Sequence, residues 1–444
     1  MKKIILSLKS FRRVVLMQHN PRNVIMWIWH RIVNSSVVVC VYRRLMLPFV
    51  VRCVCKQKKI RVVFLPMNTA MWRYGRVYQR MLDDERFEPV IVTAPRIIQP
   101  KESYVKEQNS MMQFFKGLGC EVSAGYDVDD DVWNKLQQWN PDVIFYTQPY
   151  EGMLPNSYEH WHNLKSLVCY TPYSFQLSKA GWNWDNSIQN YAWRHYVSLP
   201  YHVRTCHEYS RIKGVNAVPV GYFFEEEYQD ALADRALLNK TWRDDKRKRV
   251  IWAPHHSIAT GAEFKTSAFL EICDEMVRLR EKYRDEIIFA FKPHPMLRDN
   301  LHQRWGKERT EAYYADWANA ENSFLDDGAF IPLFAGSDAM IHCSGSFIVD
   351  YIYTGKPVQY VYCKDRNAPD FGEIGDAALK AHYPAHGVDE IEQFIENVVL
   401  AGDDPMKKQR EDVYQKYLKS PNGKTFSENV VEDILAGLGR SEMK

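Results

Sequence analysis

The sequence predicts an α/β protein of two Rossmann-like domains behind a basic, helical N-terminal extension. Three observations carry this. Beyond Lys59, short apolar runs ending in turn residues alternate with helical stretches, the signature of parallel α/β layering. A charged stretch without strand signals, residues 225–248, divides that alternation in two. At 444 residues, 46% hydrophobic and 25% charged, the chain is globular and too long for one core. The expected organisation is an extension at 1–57, a first domain at 58–224, a linker at 225–248, a second domain at 249–400 and C-terminal helices at 401–444.

In the first domain "IRVVFLP", "FEPVIVTAP", "NPDVIFYTQP", "SLVCYTP" and "NAVPVGY" read as strands. "TAMWRYGRVYQRML" and "KESYVKEQNSMMQFFKGLG", the latter closed by Gly119, read as helices. "DVDDD" at 127–131 is expected to begin a helix, acidic residues being favoured near an N-terminus, and not to bind metal. In the second domain "RVIWAPHHS", "EIIFAFKPHP", "SDAMIHC" and "KPVQYVY" read as strands, with helices at about 263–283 and 346–353 and a loop-rich segment after the second strand. Three C-terminal helices cap this domain, with a return to the first domain in prospect.

Net charge is only +3, but residues 1–82 hold 17 Lys or Arg and no Asp or Glu, while the other 362 residues are net −14. Within 1–57 cations alternate with short apolar runs, the longest uncharged one being Ile32–Tyr42. That is too short to span a bilayer, and Lys9, Arg12 and Arg13 interrupt what a cleaved signal would need. An interfacial segment fits, with Trp27 and Trp29 on one side and Arg on the other, lying on an anionic cytoplasmic leaflet. No nucleic-acid-reading motif accompanies the cations. Nine Cys are scattered without a C-x-x-C pair, which predicts a reduced, cytosolic protein.

Candidate chemistry lies at three strand ends. "SDAMIHCSGSFIVDYIYTGKPVQYVY", residues 337–362, runs an apolar strand into Cys343, Ser344, Gly345 and Ser346 and then a helix. Open parallel sheets bind ligands at that edge, Ser is a good cap, and a helix start offers unpaired N–H groups to an anion. Asp350 follows Ser346 by one turn, on the same face by its spacing. "FAFKPHP" sets Lys292 and His294 past a second strand, and "VIWAPHHS" sets His255 and His256 past a third. One ammonium, three imidazoles and the Ser-Gly-Ser turn make a coherent diphosphate pocket.

These three motifs, with weaker agreement in "VNAVPVGYFFEEEY", resemble the CDP-glycerol glycerophosphotransferases of teichoic-acid-type polymer synthesis, which are two-domain GT-B enzymes. The resemblance spans roughly residues 205–362. It implies that His294, Ser344 and Ser346 contact the donor diphosphate and that Asp350 belongs to the donor site. The family usually carries a Trp-His-Gly-Thr-Pro segment in its first domain, whose His is the presumed general base. Here the aligned stretch is "LVCYTPYSF", with Cys169 or Tyr170 in the His position and Thr171 kept, so Tyr170 and Thr171 are the acceptor-side candidates. A neutral Tyr is a poor base at pH 7. His255 and His256 are candidate bases on physical grounds, since imidazole titrates near neutrality.

The expectation is therefore a peripheral enzyme of the inner membrane face, with no cofactor. It would move glycerol phosphate, or a related polyol phosphate, from a CDP-linked donor to a hydroxyl of a lipid-linked glycan. Two alternatives stand beside it: a nucleotide-sugar-dependent GT-B glycosyltransferase of capsule or surface polysaccharide synthesis, and a non-catalytic scaffold of a polysaccharide assembly complex.

Overall fold

Runs such as Val62–Leu65, Val143–Tyr146 and Ile287–Phe291 are apolar at every position and buried at every position, which is what a parallel sheet covered on both faces demands. A computed structural model describes residues 32–179, 181–258, 265–364 and 370–440. Its strands are β1 (Ile60–Leu65), β2 (Phe87–Thr93), β3 (Val122–Ala124), β4 (Tyr126–Asp127), β5 (Val132–Trp133), β6 (Val143–Tyr146), β7 (Leu167–Tyr170), β8 (Arg194–Val197), β9 (Ala217–Pro219), β10 (Lys248–Ala253), β11 (Ile287–Phe291), β12 (Ser323–Leu325), β13 (Ala339–His342), β14 (Val358–Val361) and β15 (Tyr383–Ala385). One sheet has the order β3-β2-β1-β6-β7-β8-β9 and the other β12-β11-β10-β13-β14-β15. Every pairing within these two sheets is parallel, giving two Rossmann-like domains.

Several local expectations change. "DVDDD" forms no helix: Asp127 Oδ1 accepts the amides of Asp129 and Asp130, a side-chain turn that competes with the helix, and β4 and β5 pair antiparallel around it. The helix expected from Thr69 begins at Gly75, after a 3₁₀ turn capped by Asn68. The loop-rich segment holds helices Leu297–Trp305 and Lys307–Asn319, which bury Leu297, Leu301, Tyr314 and Trp317. β3, β8, β12 and β15 are added strands, of which β3, β12 and β15 are only three residues long. The charged linker is two helices, Phe224–Ala233 and Arg235–Thr241, packed on helix Phe330–Gly336.

The C-terminal helix Phe426–Gly437 crosses back to the first domain and packs on Gly75–Leu82. A full capping box of Thr425 and Glu428 starts it. Phe426, Val430, Ile434 and Leu435 are buried, each contributing roughly 1.5–3 kcal/mol, and Arg194 holds Asp433 at 2.7 Å. The domains touch again where Lys179 N–H donates to Asp370 C=O (3.3 Å) and where Gly372, at φ +66°, leaves room beside Tyr201 and Lys179.

Of the basic extension, Trp27 and Trp29 lie outside the described residues. Residues 36–55 form one helix with a single wide turn, Tyr42–Met46, just before Pro48, which has no amide to continue the ladder. Val39, Tyr42, Leu47, Val50 and Val54 pack on the first domain, and Arg43 Nη1 donates to Ala192 C=O at 2.8 Å. The other face leaves Val37, Leu45 and Phe49 exposed by 72%, 70% and 65%. No helix among the described residues is long and apolar enough to cross a membrane. All nine Cys are free thiols.

Candidate functional site

Three adjacent strands, in the order β11-β10-β13, bring the three motifs to one sheet edge. Beyond β11, Lys292 N–H donates to Trp252 C=O (2.8 Å) and His294 N–H to Pro254 C=O (3.0 Å), so the Lys-Pro-His loop runs beside the His-His loop. His255 N–H in turn meets Cys343 Sγ at 3.3 Å, joining β10's loop to the Ser-Gly-Ser turn. The imidazoles converge: ring centroids lie 4.3 Å apart for His255 and His256, 4.2 Å for His256 and His294, and 5.2 Å for His255 and His294.

Backbone contacts decide which nitrogens carry protons. Ser257 N–H donates to His255 Nδ1 (3.3 Å), and Met296 N–H donates to His294 Nδ1 (3.2 Å). An amide only donates, so each Nδ1 bears a lone pair and each neutral ring carries its hydrogen on Nε2. Burial, reinforced by the neighbouring imidazoles, pushes His255 down to about 3 and His294 down to about 4; burial lowers His256 too. Ring nitrogens of the three lie within 4.8 Å, a grouping that could in principle hold a metal ion. A metal needs lone pairs, however, and two of these rings direct N–H at Nε2, so the donor set suits an anion. For the same reason His255 Nε2 cannot accept a proton as it stands: this ring is a hydrogen-bond donor and not the base expected of it.

The remaining donor-site candidates differ in their surroundings. Lys292 Nζ is bound by Asp326 Oδ2 (2.6 Å) and Gly328 C=O (2.8 Å), so its charge is already compensated. Ser346 is exposed and helical in its own backbone (φ −66°, ψ −30°), with no capping bond; the α-turn it precedes is only Phe347–Asp350, continued as 3₁₀ to Thr354. Ser344 is buried. A Cβ on Gly345 would stand 3.4 Å from Phe371, which lies across the turn.

Asp350 lies one helical turn after the exposed Ser346 and is itself buried. Its Oδ1 accepts from Tyr222 Oη at 2.5 Å, and burial raises its pKa to about 7 against the opposing pull of Tyr222 and Arg73. It is a strut between domains. Arg73 reaches this cluster from the loop after β1, stacking 4.6 Å from Phe224 and donating to Tyr173 C=O at 2.7 Å. Glu227 stands beside it, likewise raised to about 7 by burial.

Tyr170 and Thr171 lie inside the first domain, 2% and 3% exposed. The Tyr170 ring stacks on His195 at 5.5 Å, and Thr171 donates its amide to Tyr74 Oη and its hydroxyl to Tyr196 C=O. The Thr171 hydroxyl is therefore committed to the backbone, and the Tyr170 ring is buried against His195. Asp326, Arg73, Tyr222 and Glu227 were missed; the acidic run "FFEEEY" at the start of the linker was the available signal for the last of these.

A family model described as CDP-Glycerol:Poly(glycerophosphate) glycerophosphotransferase matches residues 229–436. Among solved structures, a His-to-Asn variant of the wall teichoic acid polymerase TagF soaked with CDPG is similar with a TM-score of 0.58 at 11% identity, covering 94% of this chain and 97% of that one. UDP-GlcNAc 2-epimerase from Neisseria meningitidis bound to UDP-GlcNAc is similar with a TM-score of 0.54 at 12% identity, covering 85% and 99%. S. aureus MnaA with UDP gives 0.51 at 13%, covering 87% and 100%. At these identities the likeness is one of fold. No curated protein matches the chain. The family match covers residues 229–436, in the second half of the chain, and the solved structures share the two-domain GT-B fold over most of its length.

Proposed function

We propose that this enzyme transfers glycerol phosphate, or a related polyol phosphate, from a CDP-linked donor to a hydroxyl of a lipid-linked glycan. The observation that carries the reading is the cluster of His255, His256 and His294, two of whose rings present Nε2–H at the edge of the sheet within the family-matched segment. The acceptor oxygen attacks the glycerol-bearing phosphorus, the bond from that phosphorus to the bridging oxygen breaks, and CMP leaves with the electron pair. His255 and His294 donate to the diphosphate and stabilise the charge developing on the leaving oxygen. The Ser344–Ser346 turn binds the same anion, with Lys292 held beside it by Asp326. His256, half-buried between its neighbours, takes the proton that the acceptor hydroxyl gives up.

Membrane attachment belongs to the same reading. Val37, Leu45 and Phe49 form an apolar stripe on the helix of residues 36–55, with Arg44 and Arg52 exposed beside it. Such a surface suits an anionic bilayer and would hold the enzyme on the inner membrane face beside its lipid-linked acceptor. The test is a melting-temperature series with CDP, UDP and GDP, followed by transfer of labelled glycerol phosphate from CDP-glycerol to membranes. Stabilisation by CDP with transfer supports the reading; stabilisation by UDP or GDP in its place turns the assignment to a nucleotide-sugar glycosyltransferase.

A further inference from the structure

The Ser-Gly-Ser turn rests on His342, the last residue of β13, and His342 lies against a second buried histidine. Ser344 N–H donates to His342 Nδ1 at 3.2 Å, so the neutral ring carries its hydrogen on Nε2. His382, just before β15, donates from Nδ1 to Ala378 C=O at 2.7 Å, so its Nε2 bears the lone pair. Burial keeps both rings neutral at pH 7, lowering His382 to about 4 and His342 well below its usual range. Their centroids are 5.3 Å apart with the planes at 61°. Both Nε2 atoms are enclosed and have no hydrogen-bond partner. Neighbouring rings thus hold one donor and one acceptor of matching sense.

We propose that His342 Nε2–H and His382 Nε2 are joined through one buried water, and that this link positions the anion-binding turn. Buried polar atoms are rarely left unpaired, and a water between a donor and an acceptor satisfies both. The link also closes a mechanical loop. His382 hangs from Ala378 of helix Gly372–Lys380, and Phe371, the residue before that helix, lies across Gly345. The turn is held by His342 through the Ser344 amide and by Phe371 over Gly345, and both holds lead to the same helix. His342 and His382 are positioning residues: they act on the donor through the turn, so the inference rests on the donor reading above.

Selective ¹⁵N-histidine labelling tests the link without nucleotide, the two signals being assigned from His342→Gln and His382→Gln. At pH 7 wild-type His342 is expected as the Nε2–H tautomer, that proton cross-relaxing with a bound water, and His382 as the Nδ1–H tautomer; any other pair, or an Nε2–H without a water cross-peak, overturns the link. In titrations with CDP, His382→Leu is expected to weaken binding about tenfold, and His382→Gln, which restores a side-chain acceptor, to stay within about twofold of wild type. Equal affinity in both variants overturns the positioning role. Wild-type protein that does not bind CDP overturns the donor reading and the positioning role with it, while the tautomers and the water cross-peak still decide whether the link exists. Should His382→Leu not fold, the wild-type tautomers and the Gln variant carry the decision.

Discussion

The C-terminal edges of the two sheets are built from similar strands and end in opposite ways. In the second domain, adjacent strands run into loops that gather three imidazoles, a compensated ammonium and a Ser-Gly-Ser turn at the surface. In the first, β7 runs into Tyr170, stacked on His195, and Thr171, whose hydroxyl is bound to the Tyr196 carbonyl. On the proposed function, this difference puts the donor chemistry in the second domain, whose imidazoles are already set in tautomer. In the first domain Arg73 is held against Phe224 and the Tyr173 carbonyl.

That contrast makes measurable claims. The largest effect is expected from His294→Ala, which removes an Nε2–H donor from the diphosphate and should lower transfer from CDP-glycerol by about 100-fold while the melting temperature without nucleotide stays near wild type. A variant that keeps wild-type turnover would move the donor site elsewhere. On the first-domain side, Tyr170→Phe should change turnover by less than about twofold, since a buried hydroxyl that touches no substrate supplies nothing to catalysis; a large loss in kcat would restore Tyr170 to the acceptor site.

The domain junction should respond to pH. Folding favours the acid form of Asp350, whose pKa is raised to about 7. Its contribution is therefore fully present below about 4 and is lost as pH rises to 7 and beyond. Asp350→Asn, which retains an acceptor for Tyr222, should flatten this fall and be more stable than wild type at pH 8 by on the order of 3 kcal/mol. Denaturant titrations at pH 5 and pH 8 measure it, and a variant less stable at pH 8 would mean that Arg73 holds the carboxylate ionised.

A smaller effect is expected at the exposed helix. Phe49→Glu should weaken sedimentation with anionic vesicles about tenfold without altering the fold, because a 65% exposed ring contributes little to the core. Unchanged vesicle binding would remove this face from the membrane reading.

Much of this is legible in the sequence. The parallel strands announced themselves because burial on both faces requires unbroken apolar runs such as "VIFY" and "IIFAF". The strand-end histidines were visible as polar groups stranded just past such runs. What composition could not supply was direction. Asp350 follows Ser346 at helical spacing, yet its carboxylate is buried on the Tyr222 hydroxyl, 128 residues away in sequence. Lys292 looked like a free cation because Asp326, its partner, lies 34 residues away on a neighbouring strand's loop. "DVDDD" was misread as a helix start because side-chain turns and helix N-termini favour the same residue, Asp.

The central claim is that imidazole N–H groups at the β10 and β11 ends hold the donor diphosphate. Calorimetric titration of CDP at pH 7 tests it most directly, because neutral rings whose Nδ1 atoms accept backbone amides have only Nε2–H to offer the anion. Wild-type protein should bind CDP, and His255→Ala and His294→Ala should each weaken binding. CDP binding that is undiminished in both variants would contradict it.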